Sequence, residues 1–150
     1  MRQRLVLISV LSAFLLLSTA RADNSQITSW VQRVLITTLS VSYSDNFRAA
    51  PPIRTNYTDN AWAAITGFLG HYVDTVRAQQ LTLHPVANGA AIVVDSGVFP
   101  NDILPGLKFW QVNQQITIPE LRLNISFSVV VTLNVTDNKY RIQSLSMAIQ

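Results

Sequence analysis

The chain has no cysteine among its 150 residues. Disulfide staples, thiolate metal sites, cysteine nucleophiles and lipid attachment at a lipobox cysteine are excluded together. Histidine occurs only at His71 and His84. There is no Gly-x-Gly-x-x-Gly, no P-loop and no His-Glu-x-x-His, so the common nucleotide and zinc signatures are missing. Internal repeats and low-complexity linkers are also missing. The sequence pI near 9.7 suggests a basic protein, but that excess is local. Three of the eleven basic residues, Arg2, Arg4 and Arg21, lie in the first 22 positions, and all eight acidic residues lie after them. The remaining 128 residues balance eight basic against eight acidic groups. No basic run is left to follow a phosphate backbone or an anionic membrane, which argues against nucleic-acid binding.

What is present begins with the N-terminus. Arg2 and Arg4 precede an apolar run from Leu5 to Leu17 that is broken only by Ser9 and Ser12. Ala20, Arg21 and Ala22 then form a small-x-small site, and Asp23 opens a polar stretch. These are the three parts of a secretory signal peptide, with cleavage expected after Ala22. The other reading is a retained anchor, but a spanning helix needs about 20 apolar residues. Either reading places the rest of the chain outside the cytoplasm. Residues 23–150 are long enough for one domain with an adequate core.

The hydrophobic period divides this domain in two. Ile27, Trp30, Val31, Val34, Leu35 and Leu39 follow helical spacing, and Tyr43 and Phe47 continue the stripe towards Pro51 and Pro52. Asn24 and Ser25 are candidate caps for that helix. A second helical region opens at Thr58, Asp59 and Asn60 and carries Trp62, Ile65, Phe68, Leu69, Val73 and Val76. Gly67 and Gly70 predict a break near Gly70. From Leu81 onward the period is two. Asn88 and Gly89 read as a hairpin turn between Leu81–Leu83 and Ile92–Val94. Pro100, Pro105 and Gly106 mark a loop, and Phe109 to Ile118 reads as a strand. Apolar residues at odd positions from Leu121 to Val135 alternate with mostly polar ones, the pattern of a strand with one buried and one wet face. Asp137 and Asn138 make a turn. The last strand shifts phase between Ile142 and Leu145, which predicts a bulge near Gln143 and Ser144. Helices first and antiparallel strands after them give an α+β class, with the helices packed on one face of a strongly curved sheet.

Candidate chemistry is sparse. His71 and Asp74, spaced i and i+3, could share a helix face as an acid–base pair or half a metal site. A solvated helix face beside a glycine kink is the better account of them. His84 precedes Pro85 and is expected at an edge or on the surface. Asp95, Ser96 and Gly97 lack a nucleophile elbow and read as a turn. Trp30, Trp62 and Trp110 fall on or beside apolar faces and are read as core anchors rather than a binding cage. No catalytic, cofactor-binding or metal-ligating residue is assigned.

The order of motifs resembles the DotI/IcmL family of type IVB secretion systems. The resemblance starts with the helix at Trp30 and Val31, followed by Asn56, Tyr57, Thr58 and Trp62. It continues through Leu81 to Val86, then Asn88 to Ile92 and Gly97. Trp110, Gln111 and Val112 and the valine-rich strand complete it. It implies a periplasmic domain with helices over a strongly bent antiparallel sheet, a cone like that of nuclear transport factors. It also implies an assembly component, not an enzyme, that self-associates and contacts other envelope subunits. No cofactor is implied. In a bacterial chain the sequons at Asn56, Asn124 and Asn134 carry no meaning. One departure matters. Typical members place a cytoplasmic segment and a transmembrane helix before this domain, whereas here four residues precede the apolar run and a cleavage site follows it. The alternative function is a small-ligand binder with a cone-shaped pocket. On the signal-peptide reading, intact-mass measurement of the exported protein should return a chain starting at Asp23. A full-length mass in the envelope fraction would establish the retained anchor instead.

Overall fold

The computed structural model describes residues 23–46, 50–100, 106–134 and 136–150, with helices followed by strands. Residues 1–22, Phe47, Pro105 and Val135, on which some of these expectations fall, lie outside the described residues.

Helix α1, described over residues 23–39, buries Ile27, Val31, Val34, Leu35 and Leu39 on one stripe. Asn24 and Ser25 are already helical and exposed, so they do not cap it. The helix stops at residue 39 rather than continuing to Tyr43, which is 46% exposed. The cause is competition for the backbone. The Val41 carbonyl accepts from the Leu83 N–H at 2.8 Å, and the Tyr43 N–H donates to the Leu81 carbonyl at 2.9 Å. Residues 81–83, expected as a strand of the sheet, are used for this pairing, with one isolated bridge between Ser42 and Thr82.

A 3-10 turn, Pro52–Asn56, leads into α2, Asp59–Gly70. Thr58 is the N-cap of α2, its hydroxyl accepting from the Ala61 N–H at 3.4 Å. The helix breaks after Gly70 as the glycines predict, and α3 follows as Val73–Ala78.

Four antiparallel strands run in chain order, β1 (Val86–Val98), β2 (Lys108–Ile118), β3 (Leu123–Asn134) and β4 (Lys139–Ile149). Trp110, Val112, Gln114, Ile116 and Ile118 on β2 lie opposite Val131, Val129, Phe127, Ile125 and Leu123 on β3. All of these are buried except the partly buried Leu123. That inner face and the α1 stripe form one core. The phase slip in β4 is a bulge: Ile142 pairs with Val131 and Ser144 with Val130, which leaves Gln143 as the extra residue.

Two turn expectations fail at β1. Asn88 and Gly89 lie within the strand, where residues 89–91 bulge opposite Gln114 alone. Gly89 supplies a left-handed φ of +76° for the bulge rather than for a hairpin. Asp95, Ser96 and Gly97 are also strand residues, just after a second irregularity at Val94. Gln114 is buried on the core face, where its amide donates to the carbonyls of Gln115 at 2.8 Å and Gly89 at 3.3 Å. Among the described residues, its own carbonyl oxygen is buried with no partner. Gln114 therefore ties the bulge down at the expense of one unpaired acceptor.

Two polar ties fix the segments that lead into α2 and β1. The Thr38 hydroxyl donates to the Val34 carbonyl at 2.8 Å, so the Tyr57 hydroxyl donates to Thr38, 2.7 Å away. Burial pushes the Tyr57 phenol up to about 12, with the Thr38 bond opposing part of that rise. Glu120, in the turn between β2 and β3, accepts from the His84 backbone N–H at 3.1 Å, and its other oxygen is 2.7 Å from His84 Nδ1. Desolvation is the largest single effect and opposes the shift. Bonds from the backbone and the histidine ring nevertheless hold the carboxyl below the usual carboxylate range.

Thr58→Val, which removes the cap and a bond to β4 described below, should lower stability by about 1–2 kcal/mol in urea unfolding. Thr58→Ser should retain most of it. The Tyr57 shift is upward, so its contribution is complete below pH 10 and is lost as the pH rises towards 12. The Tyr57→Phe variant should lack that alkaline loss. The Glu120 shift is downward, so its contribution is present at neutral pH and fades as the pH falls below about 4.

Candidate binding surfaces

The residues that could carry chemistry remain dispersed. His71 ends α2, Asp74 opens α3, and both side chains are exposed. Among the described residues, no hydrogen bond or ion pair joins them, and no group of three or more His, Asp or Glu side chains could hold a metal ion. His84 is exposed at the surface, as its position before Pro85 suggests, and its Glu120 partner fixes the chain entering β1.

The three tryptophans have different roles. Trp110 is buried and meets Tyr140 edge-on, with ring centres 5.9 Å apart. Trp30 touches the same tyrosine at 5.6 Å. Trp62 is only partly buried, packing on Tyr57 at 5.4 Å while its other side lines a cleft. The Arg54 guanidinium sits 5.7 Å from the Trp62 ring centre, donates to the Tyr57 carbonyl and pairs with Asp59. Arg54 thus braces the chain from the 3-10 turn to the first turn of α2.

The cleft, about 860 Å³, lies between the end of α1, the 3-10 turn and α2. Val41, Ile53, Trp62, Leu69 and Val73 give it an apolar lining, and Thr37, Thr38, Ser40 and Thr66 supply hydroxyls. Its walls are helices and turns rather than the inner face of a sheet cone. Sequence reasoning missed it because its lining comes from five short segments, none with a motif of its own.

The sheet has a polar outer face of nearly uncharged side chains, including Gln111, Asn113, Gln115, Ser126, Ser128 and Ser146. They bond to one another across strands, Gln111 to Ser128 at 3.1 Å and Thr117 to Asn124 at 2.7 Å. Its two edges differ. The β4 edge is covered: Tyr57 bridges Ile142 in parallel, the Thr58 N–H donates to the Ile142 carbonyl at 3.0 Å, and the Thr58 hydroxyl donates to the Gln143 carbonyl at 2.9 Å. Among the described residues, nothing pairs with the outer edge of β1. That strand carries Val86, Ile92, Val94 and Val98, each more than half exposed. An exposed strand edge with apolar side chains is a place where another chain can bind.

Among the described residues, no helix is long and apolar enough to cross a membrane. No family model and no curated protein sequence matches the chain. Two solved structures do match in fold. The periplasmic domain of DotI shares 20% sequence identity with a TM-score of 0.64, over 83% of this chain and 94% of that one. An IcmL-like type IV secretion system protein from Legionella pneumophila shares 13% identity with a TM-score of 0.62, over 84% of this chain and 92% of that one. Helices followed by a four-stranded antiparallel meander are therefore the α+β fold of the DotI and IcmL-like domains, spanning nearly their whole length.

Proposed function

We propose that this chain is a member of the DotI/IcmL family and serves a type IVB secretion apparatus as a non-catalytic structural or accessory component. It acts in the periplasm by contact with other envelope subunits and with copies of itself. The observation that carries this reading is the likeness in fold over 94% of the DotI periplasmic domain. Segments resembling the family's motifs also follow one another in its order, from Trp30 through Trp62 to Trp110. A neutral chain after residue 22 suits contact with proteins rather than with nucleic acid or anionic lipid. Cleavage after Ala22 would free the domain from the inner membrane and let it join the periplasmic or outer-membrane part of the machine.

A second reading rests on the cleft beside Trp62. Its apolar lining with a few hydroxyls suits a small, largely apolar ligand. Both readings meet one experiment, affinity purification of the tagged protein from detergent-solubilised envelopes at native expression. Secretion-system subunits identified by mass spectrometry should co-purify. A clean monomer carrying a small apolar molecule would replace the first reading with the second.

A further inference from the structure

The hydrogen bonds around the cleft beside Trp62 restrict which ligand it can hold. A hydroxyl carries one proton, and in a helix it often gives that proton to the carbonyl one turn back. Three of the four hydroxyls lining the cleft do so. Thr38 donates to the Val34 carbonyl at 2.8 Å, Ser40 to the Ile36 carbonyl at 2.7 Å, and Thr66 to the Trp62 carbonyl at 2.7 Å. Each can offer a ligand only lone pairs, and Thr38 has one fewer because it also accepts from Tyr57. Thr37 and Asn56 line the cleft as well and can either donate or accept.

Charge points the same way. Among the described residues lining the cleft, Asp45 is the one charged group, and there is no lysine or arginine. Asp45 is exposed, with Oδ2 accepting from the Ser42 N–H at 2.8 Å. The neighbouring Arg54 is engaged elsewhere, on the Tyr57 carbonyl, the Asp59 carboxylate and the Trp62 ring. A carboxylate head group would therefore meet another carboxylate and hydroxyl lone pairs, with no cation to offset its desolvation. An ammonium has three donors and no acceptor, which is the complement of this set. Val41, Ile53, Leu69 and Val73 would cover an apolar body, and about 860 Å³ is room for a drug-sized molecule.

Resting on the reading of this cleft as a ligand site, we propose that it takes an apolar molecule with a primary ammonium head. Asp45 and the hydroxyl lone pairs hold the head group. The ligand is thus an alkyl or aryl amine and not a fatty acid.

The test titrates the purified protein by calorimetry at neutral pH with decylamine, decyltrimethylammonium and decanoate, probes that share one alkyl chain. Decylamine should bind, and decanoate should bind about tenfold or more weakly. Decyltrimethylammonium, which has the charge without the donors, should fall between them. Asp45→Asn keeps an oxygen for the Ser42 N–H. It should weaken decylamine about two- to fivefold, as for an exposed charge pair, and leave decanoate no weaker and the urea midpoint unchanged. Decanoate or decyltrimethylammonium binding as tightly as decylamine would overturn the proposal. So would an Asp45→Asn variant with undiminished amine affinity, in each case leaving the apolar-ligand reading in place. No binding of any probe would sink both and leave the protein-contact reading intact.

Discussion

The architecture depends on one residue between the two layers. Thr58 caps α2 through its side-chain oxygen and uses the same hydroxyl to bond the carbonyl of Gln143, the extra residue in the β4 bulge. The bulge and the cap are therefore a single device. Without the extra residue, every side chain after Ile142 would change face, and Leu145 and Met147 could not join the core alongside Tyr140. Without the hydroxyl, the backbone bond from Thr58 to the Ile142 carbonyl and the Tyr57 bridge would remain at this edge, but the tie to the bulge residue would be lost. The docking also covers the backbone of β4 and leaves β1 as the open edge.

Much of this was legible in the sequence wherever a residue's role is local. Thr58 as a cap, the break after Gly70, β2 within one residue at its start and the bulge at Gln143 all follow from side-chain type and period. The sequence was misleading where the deciding partner is distant. Asn88 and Gly89 have the composition of a hairpin turn, but Gly89 uses its left-handed backbone to make a bulge held by Gln114, 25 residues further on. Leu81 to Leu83 alternate like a strand but pair with the chain leaving α1, which also shortens that helix. No local pattern distinguishes those outcomes, because the same backbone groups have two competing sets of partners.

The candidate surfaces were less legible still. Alternation shows that β1 has apolar residues but not that the sheet ends beside it. The cleft draws on α1, the segment after it, the 3-10 turn, α2 and the start of α3, and its clearest marker, Trp62, has the spacing of an ordinary core residue. Low identity to the DotI domain alongside a shared fold has the same origin. Burial pattern is what a fold asks of a sequence, and many sequences can meet it.

The strand order also bears on how the chain reaches this state. Each strand pairs with its predecessor in sequence, so the meander can grow by successive short-range hairpins. Helix α1 is in the opposite situation. It is made before the strands, but its apolar stripe packs on a sheet that is complete only when β4, ending at Ile149, has been made. With no cysteine to hold an intermediate, that stripe stays uncovered until the strands facing it have been made. That makes it a natural client for a holdase chaperone until the last strand arrives.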